Sequence, residues 1–95
     1  MSGFVYIMAS KKNGTIYVGV TSDLVRRVWE HREAVSDGFT KEHNIKLLVH
    51  FERFDEIGAA ISREKNLKKW NREWKVRLIE KSNPNWNDLY ASVCG

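Results

Sequence analysis

The sequence predicts an α/β fold of the α+β kind. A small, three-stranded, mainly antiparallel sheet carries packed helices in the order β-β-α-β-α-α. Three observations predict it. Two β-branched, aromatic runs flank an Asn-Gly turn near the N-terminus. A third such run, Leu47-Leu48-Val49-His50-Phe51, stands by itself at mid-chain. Apolar residues at three- and four-residue spacing mark the helices.

Phe4-Val5-Tyr6-Ile7-Met8 reads as the first strand, and Lys11-Lys12-Asn13-Gly14 as the turn. Thr15 to Val20 completes a hairpin, with Ile16, Val18 and Val20 on one face and Thr15, Tyr17 and Gly19 on the other. Thr21-Ser22-Asp23 is suited to cap a helix over about Leu24 to Ala34, which Ser36-Asp37-Gly38 breaks. Residues 39–45 read as a loop ahead of the third strand. Asp55 is a candidate cap for a second helix over roughly Glu56 to Trp70, and a third helical stretch reaches about Lys81. The two read either as separate helices or as one bent helix, with Asn71 as a candidate break, and Ser82-Asn83-Pro84-Asn85 ends the helical region. Trp86, Leu89 and Tyr90 read as a tail folded back onto the body.

The 95 residues predict one domain, residues 1–95, with a modest core; a chain this short buries roughly 60–70% of its unfolded surface. With 42% hydrophobic and 29% charged residues, the composition is that of a globular chain rather than a disordered one. No apolar run approaches the roughly 18 residues of a membrane span, and the start, Met1 to Tyr6, does not read as a secretory signal. Cys94 is the only cysteine, so neither an internal disulfide nor a cysteine zinc site is expected, and a reducing, cytoplasmic setting is. The net charge of +4 is unevenly placed. Residues 63–77 hold seven cations against Glu64 and Glu73, a net +5, and leave the rest at −1. Such a segment attracts phosphates, or is a solvated helix face.

Glu64 stands out. In the second helix it falls inside the apolar stripe of Ile57, Ala60, Ile61 and Leu67. A carboxylate facing a core is costly unless paired or bound to a cation. It is either a metal ligand or general base, or a stripe-edge carboxylate paired with Lys68 or Arg27. Arg27 and His31 share one face of the first helix. They suit a phosphate clamp and a proton carrier, or form an exposed pair beside the core. His43 and His50 are read as structural, as are Tyr6 and Tyr17 taken singly. Trp70, Trp74 and Trp86 are read as core residues, with stacking on nucleic-acid bases as the alternative.

Taken together, these residues resemble the GIY-YIG nuclease family. Phe4-Val5-Tyr6, a turn, and Tyr17-Val18-Gly19 are similar to its two name-giving tripeptides, although Phe4 and Val5 depart from the first. Arg27 and His31 follow at the family's spacing, and Ala59 to Glu64 resembles its metal-binding segment. The region from Lys68 through Tyr90 looks like the small stand-alone bacterial members. The resemblance implies a divalent-metal-dependent endonuclease that hydrolyses DNA. Its catalytic set would be Tyr6, Tyr17, Arg27, His31 and Glu64, with Mg²⁺ or Mn²⁺ on Glu64. Gly19 would admit the substrate, and Lys65, Lys68, Lys69 and Arg72 would draw in its backbone. The alternative is a catalytically weak or inactive nucleic-acid-binding module, suited to single strands. Strandedness stays open, as does a homodimer or protein partner; a repair role is among those compatible with the family.

Overall fold

The computed structural model describes residues 1–35 and 38–94. Its strands are β1 (Gly3–Ala9), β2 (Ile16–Thr21) and β3 (Leu47–Phe54). Its helices are α1 (Leu24–Arg32), α2 (Gly38–Glu42), α3 (Ile57–Lys69), α4 (Arg72–Ser82) and α5 (Tyr90–Cys94). The sheet runs β2-β1-β3, antiparallel throughout. The expected fold class is therefore observed, with two short helices added.

Alternation along β1 divides the molecule into layers. Val5, Ile7 and Ala9 face one way, toward Ala60 and Leu67 of α3 and Ile79 of α4. Tyr6 and Met8 face the other way, toward Leu24 and Val28 of α1 and Leu89, Tyr90 and Val93 at the C-terminal end. A bulge opposite Ile7/Met8 shifts β3 by one residue. Val49 and His50 are consecutive across it, and Leu48 then returns to the Tyr6 face while Val49 joins the Val5 face.

Local chemistry sets the ends of the elements. In the hairpin, Asn13 rather than Gly14 takes the left-handed conformation, at φ 61°. The Asp23 carboxylate accepts from the Arg26 amide and caps α1. The helix ends at Arg32, two residues earlier than expected. The Val35 amide donates to Glu30 and the Ala34 amide to His31, a Schellman closure with Ala34 at φ 57°. Ser36 and Asp37, the expected breakers, lie outside the described residues. Asn71 does break the later helices, and its side chain accepts from the Trp74 amide.

Several expectations are corrected. Helix α2 occupies Gly38 and the first part, residues 39–42, of the expected loop over 39–45. Glu56, not Asp55, precedes α3, and Asp55 pairs with Arg53 instead. Ile61 is exposed, because α3 turns its Ile57-Ala60-Glu64-Leu67 line toward the sheet and leaves Ile61 outside it. Trp86 is buried and Trp70 half-buried, but Trp74 is 51% exposed, so it is not a core residue.

Candidate active site

The Tyr6 face of the sheet holds a cluster of aromatic and polar side chains. Tyr6 lies directly across from Gly19 in the β1–β2 register. A Cβ on Gly19 would sit 2.4 Å from the Tyr6 hydroxyl oxygen and 2.5 Å from its Cζ. The missing side chain thus makes room for the phenol of Tyr6, which occupies the space that substrate was expected to use. Tyr17, two positions earlier on β2, brings its ring centroid to 6.4 Å from that of Tyr6.

Helix α1 supplies the next two groups from one face. The His31 ring is 5.8 Å from Tyr6 and 5.4 Å from Tyr17, and its Nε2 lies 3.0 Å from the Tyr6 hydroxyl. Its Nδ1 lies 3.2 Å from Oγ1 of Thr40 on α2. Arg27 sits against the Tyr6 phenol and donates to Glu30 at 3.0 Å. A guanidinium only donates, so it takes a lone pair of the phenol oxygen. The His31 ring is thus bracketed by two hydroxyls, Tyr6 at Nε2 and Thr40 at Nδ1, and its tautomer sets which partner donates at each. Burial pulls the Arg27 pKa down, but the hydrogen bonds to Glu30 and Tyr6, with the fields of Tyr6 and Tyr17, more than offset it and raise it. The Arg27 hydrogen bond likewise holds the Glu30 carboxyl below its ordinary range.

Burial separates the roles open to these groups. Tyr6 is 1% exposed and His31 2%, so neither reaches solvent. Tyr17 and Arg27 are only half-buried. Arg27 also lines a polar cleft of about 360 Å³ with Thr21, Ser22, Asp23, Arg26 and Glu30.

Glu64 is supplied by a different element. Its helix α3 packs on the Val5 face. The Glu64 side chain is 13% exposed and pairs with Lys68 Nζ at 2.7 Å. The Lys68 pair is therefore observed, and the carboxylate is as secluded as its place in the stripe implied. Lys65, Lys68 and Lys69 are exposed on the same helix. Arg72 is also exposed, but its guanidinium donates to the Asn13 and Gly14 carbonyls, at 3.0 and 2.6 Å, and pins the hairpin turn. The two histidines read as structural both have partners. His50 bonds Glu52 at 2.8 Å, and Glu52 takes two hydrogen bonds from Arg63. The exposed His43 stacks on Phe39.

Sequence reasoning missed Glu30, Thr40 and Phe39. The three-residue spacing of Arg27 and Glu30 was a usable signal. Thr40 and Phe39 belong to a five-residue helix, too short to show periodicity.

Among the described residues, no three His, Cys, Asp or Glu side chains converge as a metal cage. A hard cation such as Mg²⁺ does not require one. It is commonly held by one or two carboxylates, with water and substrate phosphate completing the shell. Glu64, a secluded carboxylate beside the exposed and flexible Lys68, fits that requirement with a single oxygen ligand group.

Residues 2–77 match the model of the GIY-YIG catalytic domain. The chain belongs to the GIY-YIG family, a family of nuclease domains that generally use divalent metals and act on DNA. A UPF0213 protein of the archaeon Haloquadratum walsbyi is 40% identical over 77 residues, covering 81% of this chain and 85% of the relative. A UPF0213 protein of Staphylococcus saprophyticus is 32% identical over 76 residues, covering 80% and 92%. The solution NMR structure of a UPF0213 protein from Bacillus halodurans shares the fold, with a TM-score of 0.57, 26% identity and 93% of each chain covered. No helix among the described residues is long and apolar enough to cross a membrane.

Proposed function

We propose that this chain is a divalent-metal-dependent endonuclease that hydrolyses DNA phosphodiester bonds, its site formed within a single domain. The observation that carries this reading is the contact of Tyr6, Tyr17, Arg27 and His31 on one sheet face, with Arg27 opening onto a polar cleft. Arg27 holds the phosphoryl oxygens and stabilises their charge as it builds up. Tyr17, the more exposed phenol, accepts a hydrogen bond from the attacking water and orients it. Tyr6 and His31 are positioning residues. The Thr40–His31–Tyr6 chain fixes the phenol that Arg27 leans on. Glu64 would hold Mg²⁺ or Mn²⁺, which polarises the phosphate and stabilises the leaving 3′-oxygen when bound. Lys65 and Lys69 attract the backbone, with Lys68 joining them once it leaves Glu64.

One observation favours a second reading. The Lys68 ammonium already neutralises Glu64, which suits a nucleic-acid-binding module with weak or no activity. Labelled single- and double-stranded DNA, incubated with Mg²⁺, Mn²⁺ or EDTA, separates the two. The expected result is cutting that requires metal and is lost in Glu64→Ala. Salt-sensitive binding by a folded protein that never cuts overturns the hydrolase and leaves the module.

A further inference from the structure

The short helix α2 has two unlike sides. Thr40, 2% exposed, reaches inward to His31. Phe39, its neighbour, is 45% exposed. The Phe39 ring lies 6.3 Å from Tyr17, at an interplanar angle of 33°. On its own helix it stacks on His43, with centroids 4.3 Å apart and planes at 27°. A row of rings thus runs from the buried His31 through Tyr17 to Phe39 and His43 at the surface. Packing does not explain why an apolar ring of this size is left in water beside Tyr17. Helix α2 is held to the body by Thr40 instead, through its contact with His31.

We propose that Phe39, backed by His43, is a stacking platform for an unpaired nucleobase next to the scissile phosphate. The substrate is therefore a single-stranded or frayed polynucleotide. This rests on the reading of the Tyr17–Arg27 cluster as the phosphodiester site. Two features of the surroundings select a nucleotide over another apolar partner. The platform is continuous with that cluster through Tyr17. Two exposed cations suit the flanking phosphates, Lys41 on α2 and Arg26 at the cleft, the latter in a 3.5 Å surface pair with Glu30. An aromatic face accepts any base, so it gives affinity without sequence readout. In a duplex each base is already stacked between its neighbours and cannot use the platform without being flipped out.

The test titrates a fluorescent single-stranded oligodeoxynucleotide and its duplex in EDTA, and measures cleavage of both with Mn²⁺. It compares the wild type with Phe39→Ala, Phe39→Leu and Phe39→Trp, each checked by its melting curve. The wild type is expected to prefer the single strand. Phe39→Ala and Phe39→Leu weaken single-strand binding by roughly tenfold, Phe39→Trp retains it, and duplex binding is nearly unmoved. An abasic residue scanned along the oligonucleotide weakens the wild type by a similar factor at one position and leaves Phe39→Ala unaffected there. Equal losses on single strand and duplex, full activity in Phe39→Leu, or no loss in Phe39→Ala overturns the platform. Phe39-dependent binding without any cutting keeps the platform and overturns only the hydrolase. Absence of single-strand binding overturns the platform.

Discussion

The two faces of the sheet are made by the same strands, yet they are built from different materials. The Val5 face is closed mainly by aliphatic contacts with Ala60, Leu67 and Ile79, and its polar members, the His50–Glu52–Arg63 group and the buried Asn83, are fewer than its apolar ones. The Tyr6 face buries a phenol and an imidazole completely and holds them in place with hydrogen bonds. Stability on the first face comes from area removed from water, which tolerates small shifts. On the second it comes from directional bonds between buried polar groups, which do not. The contrast teaches that one strand can serve as a structural wall and as a template for chemistry through alternate residues alone.

The sharpest way to break the contrast is one substitution on each face. Leu67→Ala, at a position with no exposed area, should destabilise folding by about 2–5 kcal/mol and leave the turnover of the folded fraction intact. Arg27→Ala should do the reverse. Turnover falls by about 10²–10³ with only a small change in melting temperature, because Glu30 can turn to solvent. Chemical denaturation beside single-turnover cleavage reads both; equal effects from the two variants would dissolve the distinction.

Gly19→Ala probes the junction. Its new methyl collides with the Tyr6 phenol, so a loss of about 1–3 kcal/mol is expected together with impaired cleavage. A melting curve that is unchanged would mean the ring moves aside without penalty.

The smallest effect belongs to the rim of the Val5 face. Burial raises the Glu52 pKa, but its hydrogen bonds to Arg63 and His50 outweigh burial and lower it. Its folded value therefore lies below the roughly 4.3 of an unfolded glutamate. The stabilisation it gives, about 1 kcal/mol for a partly exposed pair, is complete above about pH 5 and fades as the pH falls through the folded value. The stability gap between wild type and Glu52→Gln should close in acid; a gap constant down to pH 3 would count against the pairing.

Much of this was legible in the sequence because strong local signals agree with the tertiary arrangement. The hairpin, the Asp23 cap, the Asn71 break and the intrusion of Glu64 into an apolar stripe are all set by neighbours a few residues apart. What escaped depends on long-range contact. Thr40 is meaningful only because α1 places His31 above it. The use of Gly19 is decided by a ring on the neighbouring strand. Trp74 shares the four-residue spacing of a core stripe, but its helix restarts at Asn71 with a new orientation and carries it outward. Ile61 fails for a similar reason, since spacing gives the width of a stripe and not which edge meets the sheet.

The central position of β1 carries a dynamic consequence. Both of its edges are hydrogen-bonded, to β2 on one side and β3 on the other. Its amides are therefore expected to exchange with deuterium only when the whole domain opens, while the ends of α2 exchange through local fraying. Tyr6 is rooted in the segment expected to open last and Phe39 in one expected to open earlier. The same row of rings is thus expected to join a fixed anchor to a yielding lip.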